Sequence, residues 1–562
     1  MNLQRLTARI KTPEQLLWLG LALWWVLNLL QAGLCELAND EAYYHMFAQD
    51  LAWGYFDHPP MTPLLVWLGS FLGGELGVRF FFTLLQPIYI YVLWRIIRPK
   101  EATRRDAGLF LLITAAMPIL QLYGFIAVPD GPLMFFTALL LGCYKRFTER
   151  NDWLSALGMG LCMAALAYSK YHGALVVLLL VLSNLRLLKN PKFYAAGVLT
   201  LLLILPHLYW QYQHDWVSFR YHLIGRNRDF EWGFVSEYIL NLFAIFNPFL
   251  FPVFGVAWWK NRAASPVLRA MSCIAAGFIL FFLASTLRGY VQPQWEIPAT
   301  FGIIALLFGY TRERPRWRRY TVRIGWITLI LMVLVRIEMI FNPLGLHFEV
   351  FDNRTSYQQI AQIAQERPVI FDGGYTQAAK YEFYTDGKAY ARPTIYYRTS
   401  QYELKNEDRA MAGQPVIVEV ADSVPGAQTL SLANGRTFTY LIDPSYRPVR
   451  EIHIQMAPLP TDVHPGDTLH LAFDLINPYA FDYTFGPHEA RIGFVFRRLG
   501  EPTQVFPLSG IEGRLPAQGK LHLETEFVIP AIKSTEYQAG LTIYNSPAST
   551  WFNSAIFPLR IE

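Results

Sequence analysis

The chain has 562 residues, of which 53% are hydrophobic, 15% aromatic and only 16% charged. Soluble globular chains carry about 25% charged residues, and disordered ones combine low hydrophobicity with high charge, so the composition excludes both an ordinary soluble enzyme and a disordered chain. The net charge of +5 hides an asymmetry: residues 1–344 carry 30 Lys and Arg against 19 Asp and Glu, whereas residues 345–562 carry 18 against 24.

Four cysteines, at 35, 143, 162 and 273, lie in or beside apolar runs, and form neither a disulfide framework nor a cysteine-based zinc site. Apolar runs near the roughly 20 residues that cross a bilayer recur at about 14–33, 77–97, 107–127, 132–148, 153–169, 173–189, 193–211, 236–258, 268–287, 296–311 and 322–342. They predict a mainly α polytopic membrane protein of about eleven transmembrane helices. The first run is too long for a cleaved signal peptide, and acidic residues follow it where small ones would mark a cleavage site. Cytosolic loops are rich in Lys and Arg. With the N-terminus inside, the inside segments hold 23 of these residues and the outside segments 6. This predicts a cytoplasmic N-terminus and an extracytoplasmic tail after about residue 345. Arg336 alone sits inside a span, and 12 of the 19 acidic residues fall on the outer side.

The first outer loop, about 34–76, opens with Asn39-Asp40-Glu41-Ala-Tyr43-Tyr44. Apolar residues at 43, 44, 47, 51 and 53 predict an amphipathic helix lying in the interface. Asp40 and Glu41 fit helix capping as well as catalysis. The same loop reads Asp57-His58-Pro59-Pro60. Two prolines fix a turn, which is either a plain re-entry into the membrane or a preset carboxylate–imidazole pair. Asp130, in Val128-Pro-Asp130-Gly-Pro, and Lys170, in Ser169-Lys170-Tyr-His172, follow at outer ends of later spans. Arg226 and Arg228 lie in another outer loop, and Gln294-Trp295-Glu296 opens a later span. Taken singly, these residues fit capping, snorkelling or interfacial anchoring. Together they place carboxylates beside Lys, Arg and His on one side. Such a set can neutralise a phosphate leaving group and take a proton from a hydroxyl nucleophile.

The tail changes character. Helical spacing at 357–365 and 375–384 flanks a buried strand at 368–372, which predicts an α/β domain over 345–447. From 448 to 562, alternating strands near 451–455, 468–474, 491–496, 520–527 and 538–544 predict a β-sandwich domain. The membrane domain takes 1–344.

The series Asp40-Glu41-Ala-Tyr-Tyr, Asp57-His58-Pro59-Pro60, Pro129-Asp130-Gly-Pro-Leu, Ser169-Lys170-Tyr and Asp215-Trp-Val-Ser-Phe-Arg220 resembles bacterial glycosyltransferases of the protein O-mannosyltransferase-like group. That group includes the lipid A aminoarabinose transferases and shares the multi-span GT-C fold (glycosyltransferase family 39-like). The resemblance covers about residues 15–345. It implies transfer of a sugar from a polyprenyl-phosphate donor to an acceptor hydroxyl at the outer face of the bacterial inner membrane. It carries a catalytic role onto Asp40, with Glu41 its neighbour, Asp130 a second acidic residue and Lys170 a basic residue of the cavity. His58 stands where the aminoarabinose branch has lysine, which argues against that branch.

The expected site therefore has Asp40, Glu41 and Asp130 as catalytic residues, and His58, Lys170, Arg226 and Arg228 on the donor phosphate. Asp57, Tyr43, His172, Trp295 and Glu296 line the cavity. No cofactor is required, although Asp40 and Asp130 leave room for a divalent cation. The expected partners are the lipid donor, a protein, lipid or glycan acceptor, and the membrane, with no nucleic acid. Two other classes are compatible with many spans: a lipid or glycan transporter, which calls for inverted repeats and inward-facing ligands, and a membrane-anchored binding protein whose tail does the work.

Overall fold

The computed structural model describes residues 11–225, 228–260, 265–395, 399–405, 407–486, 489–498, 501–544 and 551–562. It divides into two compact units, Met1–Phe351 and Asp352–Glu562.

The first unit is helical. Its main helices are α1 (Pro13–Leu34), α2 (Asn39–Ala48), α3 (Met61–Gly69), α4 (Gly74–Ile97), α5 (Arg104–Ala115), α6 (Pro118–Leu122), α7 (Asp130–Arg150), α8 (Trp153–Ser169), α9 (Gly173–Ser183), α10 (Pro191–Gln213), α11 (Trp232–Ile245), α12 (Phe251–Lys260), α13 (Pro266–Ser285), α14 (Ala299–Arg312) and α15 (Pro315–Phe341). Among the described residues, five segments are long and apolar enough to cross a membrane: α1, α4, α10, Pro266–Arg288 (α13 with the turn after it) and α15. The chain is a multi-pass membrane protein, but a count of eleven crossing helices is not shown. Proline explains part of the difference. The run at 107–127 breaks before Pro118, and the run at 236–258 breaks between α11 and α12, where Asn247 (φ 71°) precedes Pro248. Lipid-length apolar sequence is thus delivered as pairs of shorter helices.

Two further expectations change in the first loop. Helix α2 is not an amphipathic surface helix: Glu41, Ala42, Tyr43, Tyr44, Met46, Phe47 and Ala48 are all buried, while Leu51 and Trp53, the end of the supposed stripe, lie beyond the helix and are exposed. The turn at the two prolines leads directly into α3, so part of the expected loop is helical.

The second unit begins with helix α16 (Asn353–Ala364) and a five-stranded sheet of β1 (Val369–Asp372), β2 (Ala389–Arg392), β3 (Val416–Glu419), β4 (Gln428–Ser431) and β5 (Thr437–Asp443), in the order β2-β1-β3-β5-β4. Strand β1 is parallel to β2 and β3, and helix α17 (Tyr375–Tyr384) makes the β1–β2 crossover. Beyond it, a three-stranded sheet centred on Thr468–Ile476 accompanies a six-stranded sheet centred on Glu536–Tyr544. Burial alternates along Thr468–Ile476, as a strand with one covered face requires. Phe494 and Phe527, one from each sheet, stack with ring centroids 4.4 Å apart in the shared core.

Candidate functional site

Contacts bring the connections after α1, α6, α8, α10 and α13 together: Lys170 meets Asp130, His207 and His222 meet the turn at 53–57, His172 meets Trp295, and Arg228 meets Arg288. The described residues of the expected site lie in those connections or at their edges.

Asp40 and Glu41, adjacent in sequence, diverge in the fold. Glu41 is fully buried and accepts from Arg79 Nε (2.7 Å) and Nη2, from the Ala127 N–H (2.8 Å) and from the Ala38 N–H (2.9 Å). Arg79, also buried, spends its other donors on the carbonyls of Ala32 (3.1 Å), Cys35 (2.7 Å) and Glu36 (2.9 Å). A carboxylate holding four donors has no lone pair left for a substrate. Glu41 thus clamps α2, α4 and the chain before α7 together. The partner, Arg79, stands at the outer edge of a predicted span, where a charge can serve a buried partner as well as the surface. Asp40, one residue earlier, stays half-exposed at the start of α2.

Asp130 and Lys170 meet. Both are buried, and Lys170 Nζ donates to Asp130 Oδ1 (2.8 Å) and Oδ2 (2.9 Å). Helix α8 stops at Ser169 and Lys170 turns extended, which throws its side chain across to the first residue of α7. The ammonium can donate three hydrogen bonds, and among the described residues it donates to Asp130 alone. Tyr123, in the chain before α7, lies within electrostatic reach of Asp130, Asp40, Glu349 and Tyr290. Asp130 and Lys170 are thus joined directly, while Asp40 is related to them only by a charge that Tyr123 feels through space. Tyr123 gave no signal in the sequence, being one aromatic among many in an apolar run.

The turn at 53–58 is held by side chains from the end of α10 and the chain after it. His207 Nδ1 bonds the Trp53 carbonyl (2.7 Å), Ser218 Oγ donates to the Tyr55 carbonyl (2.8 Å), and His222 Nε2 bonds the Asp57 carbonyl (2.7 Å). Both imidazole nitrogens must act as donors, since a carbonyl only accepts. Alternate carbonyls of the turn are thus each fixed by one side chain. Tyr171, next to Lys170, lies between His207 (3.3 Å from hydroxyl to Nε2) and His222 (ring centroids 5.4 Å), and within reach of the Asp57 charge. His58 faces Tyr44 (5.3 Å) and His222 (6.1 Å) in an imidazole–phenol cluster. Burial pushes the Tyr55 hydroxyl up to about 12, so it remains a donor to the Phe47 and Asp50 carbonyls. The tripeptide Lys170-Tyr171-His172 links this cluster to the Asp130 site.

The remaining expected residues divide. His172 packs edge-on against Phe282 (5.0 Å) and Trp295 (5.3 Å). Tyr43 is buried against Phe47 (4.4 Å) and so lies in the packing under the loop, not on an open cavity wall. The Arg228 side chain is exposed, and its N–H bonds the Arg288 carbonyl (2.8 Å). Arg226 lies outside the described residues. Glu296 belongs to the turn before α14, which begins at Ala299 and not at 296. Tyr238 sits within bonding distance of both Glu296 Oε1 and the Ile279 carbonyl. The hydroxyl's single proton is shared between these two acceptors. Burial also pushes the Glu296 carboxyl up to about 8, against the smaller opposing effect of the Tyr238 bond.

A divalent cation would have to use Asp40 and Asp130. Both oxygens of Asp130 already accept from Lys170, and among the described residues no three His, Cys, Asp or Glu side chains gather where they could hold a metal.

Comparison with known proteins bears on the same region. Residues 57–210 match the family described as dolichyl-phosphate-mannose-protein mannosyltransferase. The chain is 28% identical over 212 residues to the lipid A galacturonosyltransferase RgtD of Rhizobium johnstonii, an alignment that covers 36% of this chain and 44% of that protein. The chain thus spans less than half the length of that curated relative. Among solved structures it is similar to ArnT from Cupriavidus metallidurans in the apo state (TM-score 0.56, 15% identity, 75% of this chain and 97% of that one). The same protein bound to undecaprenyl phosphate gives a TM-score of 0.54 at 16% identity, with the same coverage. The transport alternative finds no support in these likenesses. In sequence over 57–210 and in fold over most of its length, the chain resembles GT-C glycosyltransferases of the protein O-mannosyltransferase and ArnT type, as its first-loop motif implied.

Proposed function

We propose that this chain is an inverting transferase that moves a sugar from a polyprenyl-phosphate donor to an acceptor hydroxyl at the outer face of a bacterial inner membrane. The observation that carries this reading is the buried Asp130–Lys170 pair, whose ammonium keeps a donor free among the described residues, with the Asp40 charge within electrostatic reach of the neighbouring Tyr123. The Lys and Arg asymmetry puts this pair on the outer side. The N-terminus is then cytoplasmic and the second unit extracytoplasmic.

In this reading the Lys170 ammonium, oriented by Asp130, turns its one spare donor to the donor phosphate and offsets the charge that builds there as the bond breaks. His58, in the first-loop turn against Tyr44 and His222, shares that role. The acceptor oxygen attacks the anomeric carbon, its bond to carbon forms, and the carbon–oxygen bond to phosphate breaks. The electron pair leaves with polyprenyl phosphate, and Asp40 takes the acceptor proton. A solved ArnT structure that holds undecaprenyl phosphate supports a lipid-phosphate donor. The name of the galacturonosyltransferase relative makes lipid A the acceptor to test first and hexuronosyl, other hexosyl and pentosyl donors the sugars to compare.

The test is transfer of labelled sugar from polyprenyl-phosphate donors by purified Asp40→Asn and parent protein. A loss of ~10²–10⁴-fold in the variant is expected from removal of a general base. Full activity in a folded Asp40→Asn variant removes Asp40 from this role.

A further inference from the structure

The last helix of the first unit carries an arginine that the transfer chemistry does not use. Arg336 is 7% exposed in a 27-residue apolar helix, α15, where a cation costs roughly 2.5–3.5 kcal/mol on insertion scales. Its hydrogen bonds go to amides and carbonyls and none goes to a carboxylate. Its Nη1 has no partner among the described residues. A buried guanidinium held in this way is a liability for stability, so something other than stability accounts for it.

Its partners all lead to one stretch of backbone. Arg336 Nη2 donates to the Gln121 carbonyl (2.7 Å) and to Asn28 Oδ1 of α1 (2.8 Å), and Nε to Gln121 Oε1 (3.2 Å). Asn28 Nδ2 in turn donates to the Gly124 carbonyl (3.1 Å) and to Gln86 Oε1 (2.6 Å), and Gln86 Nε2 donates to the Leu120 carbonyl (2.7 Å). The carbonyls of residues 120, 121 and 124 are therefore each held by a buried side chain from α4, α15 or α1, and the Ala127 N–H is held by Glu41. A side chain at Gly124 would clash with the Gln86 amide. The Phe125 ring lies between two guanidiniums, Arg336 at 5.4 Å and Arg79 at 5.7 Å. This stretch carries Tyr123 and delivers Asp130 to the start of α7.

We infer that Arg336 is a positioning residue: acting from α15 through the backbone of 120–127, it sets where Tyr123 and Asp130 stand in the site. An arginine suits this task because its planar fork bonds two helices at once, which the single nitrogen of lysine does not do with the same geometry. Only the kinetic consequence rests on the transfer reading.

The experiment compares Arg336→Lys, which keeps the charge, and Arg336→Met with the full-length parent. Hydrogen exchange of the amides at 121–131 and sugar transfer from a polyprenyl-phosphate donor are measured on each. The expected result is faster exchange at 121–131 with exchange in α3 unchanged. With it, kcat should fall at least ~10-fold, since displacement of a reacting group by about 1 Å can cost 10²-fold, while the donor KM moves less than about twofold. Arg336→Lys should lie between parent and Arg336→Met. Unchanged exchange at 121–131 in both variants overturns the inference, as does a donor KM that rises as much as kcat falls. If Arg336→Met does not fold, Arg336→Lys alone decides on the same two readouts. A parent inactive on every polyprenyl donor, with local exchange still altered in the variants, retires the transfer reading and leaves the strut standing.

Discussion

Two acid–base pairs lie buried at the same end of the membrane unit, and they differ in what surrounds them. Glu41 and Arg79 are saturated, with every strong donor and acceptor committed to each other or to backbone from α1, α2 and the chain before α7. Asp130 and Lys170 bond to each other, and the ammonium keeps capacity in reserve. Both pairs are buried, so burial does not separate a structural pair from a working one. The number of commitments does. A saturated pair cannot change partners without unfolding its surroundings, whereas a pair with a spare donor can meet a ligand.

That contrast can be broken by four variants. The largest effect is expected from Glu41→Gln, which leaves Arg79 buried without its anion and should lower unfolding stability by about 3–5 kcal/mol. Thermal melts in detergent or nanodiscs measure it, and transfer per folded molecule should stay near the parent value. Next comes Lys170→Met combined with Asp130→Asn, which removes both charges of the second pair. Folded yield should hold while transfer falls by ~10²–10³-fold. If Glu41→Gln abolished transfer at full stability and the double variant did not, the two pairs would have been assigned the wrong way round.

Smaller effects sharpen the picture. His222→Ala removes one of the three side-chain bonds to the 53–57 carbonyls, worth about 1 kcal/mol, and a fewfold rise in donor KM in steady-state kinetics is expected. Glu296 gives a pH signature. Its folded pKa is raised to about 8 from an ordinary 4.5. The folded state therefore keeps a proton that the unfolded chain releases, and stability falls as pH rises from about 4.5 to about 8, then levels. Glu296→Gln mimics the protonated form. Melts between pH 5 and 9 should show the parent losing stability with rising pH by more than the variant does. Parallel curves would mean that Glu296 is already ionised in the fold.

Much of the fold is legible in the sequence where one period dominates. Residues 375–384 and 520–527 fold as a helix and a strand because their apolar spacing leaves one face to cover. The membrane helices are less legible, because continuous apolarity marks a span but not its ends. Pro118 and Pro248 break runs that hydropathy alone reads as single crossings. In the site, Asp130 and Lys170 stood out as charges at the edges of apolar runs. Glu41 stood out for the same reason and turned out to serve packing, because sequence shows a charge but not the arginine 38 positions later that consumes it. Tyr123, Tyr171 and His222 matter through neighbours from distant helices, which no local pattern reports.

The most direct test of the shared site is a structure of the chain with polyprenyl phosphate bound in lipid nanodiscs. The account predicts the phosphate within hydrogen-bond distance of Lys170 Nζ, with Asp40 and Tyr123 facing the same space. A phosphate bound elsewhere, with Lys170 still committed to Asp130 and Asp40 turned away, would contradict it.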